Sequence, residues 1–429
     1  MMTAAPLSAQ YAGPAILSRG EAPAALSLPE IRFRPYAEAS GTYEQGLAGV
    51  SINEQGQLVA GHSFGMGLIW GVGGIHSWRH TKVGLDYRGS LLHYAQHQGF
   101  DSVDQALLIS LTHQFTPHLS FDLRESAGLT TRNFGQRGLR DTVPFDPSTT
   151  YVPTTDYFDN RTIFSTSTAM LQWQKTARLS FDLGGDAFVV RRRSSALFGS
   201  TGLTAHGDTE YRLSRRSTIG ANYTFLHFTY GGYQGGTDAH GAALVYSVRL
   251  NRTTEFSGYA GGYRIESKFL QTTPLDPVIA VLLGIPGTTQ IVHRINYTPN
   301  LGARFSRIYS TGMFFLSAGH SVKPGNGVFA TSTASTVLTG YSYTGLRRWS
   351  FGASVGYERA DSLGVLSGAY SDSQQGMQIS RQVASHFHVI AMYSARQYSS
   401  PTYANYSRHV TDARIGIGYS PGEIPLRIW

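Results

Sequence analysis

The chain has 429 residues, of which 41% are hydrophobic and only 14% charged, and it contains no cysteine. Soluble globular proteins carry about 25% charged residues, so the composition is unusual for that class. The absence of cysteine excludes disulfides and thiolate metal sites. The net charge of +8 comes from basic residues that recur singly or in short runs, such as Arg191–Arg193, and this distribution argues against nucleic-acid binding.

The first thirty residues carry no regular pattern. Residues 1–10 end on small side chains at Ser8 and Ala9, as the end of a secretory signal peptide does. We expect a remnant of such a peptide there, with an ordinary disordered N-terminus as the alternative. Residues 11–30 are rich in alanine and proline, and we expect an N-terminal linker that is too short for a plug domain.

From residue 31 onward, apolar and polar residues alternate in segment after segment. In the clearest segment, 178–193, Leu179, Phe181 and Leu183 share one parity and Asp182 and Asp186 share the other. This period of two indicates a strand with two unlike faces. The segment is about twice the usual strand length of 5–6 residues, whereas a tilted strand that crosses a bilayer needs about 9–11. No stretch approaches the roughly 18 apolar residues of a membrane helix, so any crossing would be made by strands.

The alternation predicts about eighteen strands, or sixteen if the weak first and sixteenth segments are omitted, in line with the even numbers of bacterial barrels. The segments are 31–43, 62–78, 83–91, 104–115, 119–129, 162–174, 178–193, 197–213, 219–225, 242–250, 254–266, 291–305, 310–322, 329–343, 349–357, 364–380, 387–395 and 412–419. The predicted fold is therefore all-β, a single transmembrane antiparallel β-barrel over residues 31–419.

Two kinds of connection alternate between the strands. Short turns are predicted near 116, 175, 215, 252, 308, 346 and 381. The other connections are longer, and the largest are 131–160 and 267–289. Short turns at one end and long loops at the other are typical of outer-membrane barrels, whose short turns face the periplasm.

On these segments, turns and aromatic strand ends, the chain resembles a Gram-negative outer-membrane β-barrel of the porin-like kind. The resemblance implies a bacterial outer-membrane location, contact with lipid and with the barrel insertion machinery, and a channel for small hydrophilic solutes. Barrels of this kind often end on an aromatic residue that the insertion machinery reads. Tyr419, which closes ARIGIGY, fits that residue better than Trp429, and residues 420–429 are then a periplasmic C-terminal tail.

The parity opposite the apolar face carries charges of both signs. In a water-filled lumen such charges shape the field that a passing ion meets; alternatively, neighbours pair and merely hold the wall together. The predicted lumen charge ladder comprises Asp86, Arg88, Asp122, Arg124, Asp182, Asp186, Arg192, Arg212, Arg249, Arg264, Arg294, Arg304, Arg396 and Arg414. The positive net charge of the chain favours a mild preference for anions.

Aromatic residues recur at strand ends, where Tyr and Trp suit a membrane interface. The predicted girdle comprises Tyr87, Tyr94, Trp173, Tyr211, Tyr223, Phe228, Tyr230, Tyr246, Tyr263, Trp349, Tyr357, Tyr393, Tyr398 and Tyr419, with stacking platforms for sugar rings as the alternative.

Two irregularities interrupt the alternation of apolar and polar residues. Gly73 and Gly74 predict a bulge, and Glu125 falls on the apolar face, for which a bulge, a position near the rim and a subunit contact compete as explanations.

One long loop is unusually apolar. Its residues Leu275, Val278, Val281, Leu282 and Leu283 would be costly to expose. We predict that this loop either folds into the lumen as a constriction or packs on a neighbour.

Catalytic and metal-binding motifs are weak. His206, Asp208 and Glu210 share a strand face and could hold a cation, but lumen polarity explains them equally well. The sequence contains no H-E-x-x-H, and its two G-x-S-x-G matches, at 61–65 and 352–356, lie along predicted strands and not at a strand-to-helix turn. We therefore predict no catalytic residues, no metal site and no cofactor. The first hypothesis is a passive channel for sugars, oligosaccharides or an exported polysaccharide. The second is a non-conducting structural or surface-binding barrel that uses loops 131–160 and 267–289, and the third is a barrel hydrolase.

Overall fold

The structure is a computed structural model that describes residues 34–52, 58–95, 101–131, 161–193, 197–231, 235–274, 287–325, 330–343, 345–363, 368–401 and 407–419. The predicted signal-peptide remnant (1–10), linker (11–30) and C-terminal tail (420–429) lie outside the described residues. So do the five apolar residues of the proposed constriction loop and most of loop 131–160.

The described chain folds into one antiparallel sheet of eighteen strands. They are β1 (Arg34–Ile52), β2 (Leu58–Ser77), β3 (Thr81–Tyr94), β4 (Ser102–Thr116), β5 (Leu119–Thr130), β6 (Thr162–Gln174), β7 (Leu179–Arg192), β8 (Ser200–Arg212), β9 (Ser217–Tyr230), β10 (Gly235–Arg249), β11 (Thr254–Pro274), β12 (Gly287–Tyr309), β13 (Gly312–Lys323), β14 (Ser332–Tyr343), β15 (Trp349–Ser362), β16 (Ala369–Gln382), β17 (Phe387–Ser399) and β18 (Arg408–Tyr419). Each strand pairs with its sequence neighbours, and β1 pairs with β18, which closes the barrel. The predicted fold is confirmed.

The connections differ at the two ends of the barrel. At one end they span two to five residues, whereas the other end includes the 31 residues between Thr130 and Thr162. The turn expected near 308 lies instead at 310–311, because Ile308 and Tyr309 still pair with Met313 and Gly312. The short-turn end is the periplasmic end of such a barrel.

The outward face forms an apolar belt. On β15 the outward residues run from Trp349 through Val355 to Tyr357, and the next two outward positions are Arg359 and Asp361. The nine residues from Trp349 to Tyr357 match the length that a tilted strand needs to cross a bilayer. An apolar belt edged by aromatic rings is the lipid-facing surface of an outer-membrane barrel. Among the described residues, no helix is long and apolar enough to cross a membrane.

The regular pairing between strands is interrupted, but not at the position that the sequence predicts. The register runs unbroken through Gly73 and Gly74, so the bulge predicted there is wrong. One irregularity lies at Gly46, whose φ is +88°. A Cβ at this position would stand 1.9 Å from the carbonyl oxygen of His409, so only glycine fits.

Candidate functional site

The inner wall of the barrel is the candidate site, and the strand register identifies the residues that face it. The inward acidic residues are Glu38, Glu44, Asp86, Asp104, Asp122, Asp182, Asp186, Asp208, Glu210, Glu255, Glu358, Asp372 and Asp412. The inward basic residues are Lys82, Arg88, Arg124, Arg192, Arg212, Arg249, Arg294, Arg304, Lys323, Arg396 and Arg414. The two signs nearly balance among the described side chains, so an anion preference does not follow from this wall.

Arg264 is the one residue of the predicted charge ladder that does not face inward. It stands opposite His240 and Tyr297 on the outer face, with its guanidinium 3.3 Å from Glu266. The prediction is wrong because the large Tyr263 takes the inward position on β11. Arg294 keeps the inward parity, but it lies on a part of β12 that pairs with β11 alone and its side chain is exposed. The effect of the ladder on ions stays a prediction.

Carboxylates concentrate on the inner wall at β7 and β8. Asp182 faces Asp208 directly across the two strands, and both side chains are buried. The side-chain amide of Asn222 donates a hydrogen bond of 2.6 Å to Asp208. Among the described residues, no three His, Asp or Glu side chains are arranged to hold a metal ion. This sector is therefore a part of the described wall where carboxyl groups lie opposite each other on neighbouring strands.

A network of four charges, with two adjacent carboxylates between two cations, lies on the opposite side of the wall. The Lys323 ammonium donates to Glu358 at 2.6 Å. The Arg396 guanidinium donates to both oxygens of Asp372 at 2.8 Å. Glu358 and Asp372 face each other in the β15–β16 register, so each of two adjacent carboxylates has its own cation. The network is close to neutral and links the strands β13, β15, β16 and β17 of the wall.

Several aromatic residues predicted for the membrane girdle point into the barrel. The inward group, all nearly fully buried, comprises Tyr94, Phe228, Tyr230, Tyr263 and Tyr398. The outward group comprises Tyr87, Trp173, Tyr211, Tyr223, Tyr246, Trp349, Tyr357, Tyr393 and Tyr419. The girdle prediction is therefore wrong for the inward residues, whereas the outward residues have the orientation that it requires and their place at the membrane interface stays a prediction.

Three of the inward aromatics, Phe228, Tyr230 and Tyr263, belong to an apolar cluster that fills one sector of the barrel. Its buried members are Phe164, Phe188, Val190, Leu226, Phe228, Tyr230, Ala239, Tyr263, Ile265 and Val322, and Phe198, Ala330 and Leu363 from the connections pack against it. Phe188 and Phe228 lie 5.9 Å apart between ring centroids. This sector, formed mainly by β6 to β11, behaves as a small hydrophobic core inside the barrel.

One connection folds inward onto this cluster. The Thr331 hydroxyl, between β13 and β14, forms hydrogen bonds of 2.7 Å with Tyr230 and 2.6 Å with Thr237. The backbone N–H of Leu363 donates to the carbonyl of Thr331 at 2.8 Å, which ties in the β15–β16 connection. We call the segment Ala330–Thr331 the inner strap. It narrows the barrel at the end opposite the short turns.

The sector from β12 to β18 contrasts with the filled one. Its inward positions carry many glycines, namely Gly302, Gly319, Gly340, Gly352, Gly356, Gly376, Gly416 and Gly418. A Cβ added at Gly352 would meet nothing within 4 Å, and Gln374 is an exposed inward side chain. Eighteen strands enclose more space than wall side chains fill, so an aqueous path along this sector is compatible with the described wall.

Replacing Thr331 by valine should loosen the inner strap and raise single-channel conductance or its noise. The change removes two hydrogen bonds, each worth about 0.5–1.5 kcal/mol net, while keeping the side-chain shape. Thr331→Ser keeps the hydroxyl and is the matched control, which should resemble the wild type. Identical conductance traces for all three proteins would show that the strap does not limit the path.

At the rim, Asp101 has a pKa below its usual value. Partial burial opposes this shift, but the backbone N–H of Tyr94 donates to the carboxylate at 2.9 Å and the His93 ring lies 2.7 Å from it. The carboxylate is thus favoured in the folded state. Its contribution to stability is present above the ordinary pKa of aspartate and is lost as pH falls through the lowered value.

The chain matches no protein-family model and no curated protein. Among solved structures it is similar to OccK2 (OpdF) of Pseudomonas aeruginosa, with 11% identity, a TM-score of 0.44 and coverage of 90% of this chain and 98% of that one. A BenF-like porin from Pseudomonas fluorescens Pf-5 gives 9% identity, a TM-score of 0.42 and the same coverage. At these TM-scores the similarities carry no conclusion about solutes. The closed barrel and the lipid-facing belt of this chain themselves have the architecture of a porin-like outer-membrane barrel.

Proposed function

We propose that the protein is a passive outer-membrane channel for small hydrophilic solutes, with sugars and oligosaccharides as the leading candidates. The observation that carries the proposal is the asymmetric inner wall. The apolar cluster fills the β6–β11 sector, whereas the β12–β18 sector combines eight inward glycines and short polar residues with fewer large side chains, namely Met313, Phe315, Tyr370, Ile390, Tyr398 and Val410. A narrow and polar path on one side of the lumen suits the diffusion of small hydrophilic molecules. Because the wall charges nearly balance, this path excludes neither anions nor cations outright.

A non-conducting structural barrel is the second candidate, favoured by the inner strap and the filled sector. If these features close the lumen completely, the barrel would act only through its surface. Export of a polysaccharide is a narrower form of the channel proposal. Nothing among the described residues favours the barrel-hydrolase hypothesis.

Swelling of liposomes that contain the full-length protein tests the proposal. We expect swelling with a monosaccharide, slower swelling with a disaccharide, and a sharp fall with larger oligosaccharides, because the filled sector leaves only part of the cross-section open. Heat-unfolded protein in the same liposomes is the control. Swelling no faster than in protein-free liposomes, even with the smallest sugar, would favour the non-conducting barrel.

A further inference from the structure

Glu125 lies on the outer, lipid-facing side of the barrel. The register places it in one rung with Ile109 on β4 and Ser167 on β6. Ile109 is 41% exposed on that outer face, which fixes the side on which Glu125 stands. A carboxylate here is an exception to the apolar belt.

Two of the three explanations for this carboxylate do not agree with the structure. The β4–β5 register is continuous around Glu125, and its irregularity lies at Gln114 and Thr116, so no bulge turns the side chain outward. Nor does Glu125 lie at a rim. Phe121 and Leu123 precede it on the outward face, and Ala127 and Leu129 follow it. It therefore stands at the centre of the belt, and the explanation that remains is a subunit contact.

The surroundings of Glu125 are polar and small. Ser167 donates a hydrogen bond of 2.7 Å to its carboxylate. Ser165 lies one outward position further along β6, opposite Ala127. Ala169 on β6 faces Gly185 on β7. Lipid tails offer no hydrogen bonds to such a group, whereas small residues let two protein surfaces approach closely, as they do between helices in membranes.

We propose that this outer face of β5, β6 and β7 is an interface with a second copy of the same chain. Copies inserted in one membrane share one orientation, so each presents Glu125, Ser165 and Ser167 at the same depth. The carboxylate of one copy already accepts a hydrogen bond from its own Ser167, and it accepts a second one from the Ser165 hydroxyl of the other copy. The face is thus self-complementary, as the interface of a two-fold symmetric dimer must be. The inference does not depend on what the lumen conducts.

Single cysteines test the proposed interface without background, because the natural chain has none. We expect Ser165→Cys and Ala127→Cys to form disulfide-linked dimers on mild oxidation in lipid bilayers. Val355→Cys is the matched control. Val355 is outward and 52% exposed, on β15, nine strands from β6 in a barrel of eighteen. Cross-linking at Val355 as efficient as at the other two positions would overturn the proposal.

The mass of the wild-type protein in nanodiscs gives the second readout. We expect a multiple of the 46.8 kDa chain, and a wild-type monomer would overturn the proposal. Glu125→Leu should shift the protein to the monomer, since it removes the polar contact while suiting lipid. Glu125→Gln keeps a hydrogen-bonding group and should retain most of the multimer. A Glu125→Leu barrel that stays folded and fully multimeric would also contradict the interface.

Discussion

Replacing Arg396 by methionine should destabilise the folded barrel by about 3–5 kcal/mol, the usual effect of breaking a buried ion pair from one side. Arg396 and Asp372 are 8% and 6% exposed and share two hydrogen bonds. Without the guanidinium, Asp372 and the facing Glu358 would have only Lys323 as a nearby cation among the contacts in this network. The loss therefore combines a missing contact with repulsion between two carboxylates.

Denaturant unfolding of the reconstituted barrel, followed by tryptophan fluorescence, measures this effect. The double variant Asp372→Asn/Arg396→Met removes the stranded charge as well and should recover a large part of the lost stability. A midpoint for Arg396→Met equal to that of the wild type would mean that water in the lumen solvates Asp372 well enough to make the pair dispensable.

Replacing Gly352 by tryptophan should lower single-channel conductance, by roughly a fifth if one indole projects into a lumen of eighteen strands. Gly352 faces inward between Ser342 and Gln378. A Cβ there meets nothing within 4 Å, so the substitution adds bulk to the open sector without a clash with the backbone.

Gly207 provides the matched control for this substitution. It faces outward between Leu183 and Tyr223, and a Cβ there also meets nothing within 4 Å. Gly207→Trp should enter lipid and leave the conductance unchanged. Equal conductance for the two variants would show that ions do not pass along the β12–β18 wall.

Strand number and pairing follow from the sequence because they rest on a local signal repeated many times. Alternation over long segments and short turns after every second strand predict a closed barrel. The weak first and sixteenth segments also proved to be strands β1 and β16. A barrel in which every pair of neighbouring strands is antiparallel closes only with an even number of strands. A count near eighteen therefore leaves few alternative strand numbers.

The lining of the lumen follows from the sequence only in part. Period two shows which residues share a face, but not which face meets lipid. On β11, Tyr259 and Tyr263 face inward, while Gly258 and Gly262 face lipid. This is the reverse of the usual expectation that the bulky residues of such a strand face lipid. Arg264 continues the parity of the two glycines, and it misleads because a charged residue is expected to face the lumen.

Contacts across the barrel leave no local trace in the sequence at all. Thr331 and Tyr230 are separated by 101 positions, yet their hydroxyls form a hydrogen bond. Nothing in the residues around Thr331 distinguishes it from any other threonine in a loop. The sequence predicts a constriction in the apolar loop around Leu282, which lies outside the described residues. The inward contact that the structure describes comes from the connection between β13 and β14.

Recording the reconstituted wild-type protein in planar lipid bilayers tests the channel proposal most directly. Discrete and reproducible conductance steps are expected, with weak ion selectivity because the described wall charges nearly balance, and with partial block by added oligosaccharide. An electrically silent bilayer that demonstrably contains folded, heat-modifiable barrel would contradict the proposal and identify the protein as a closed barrel.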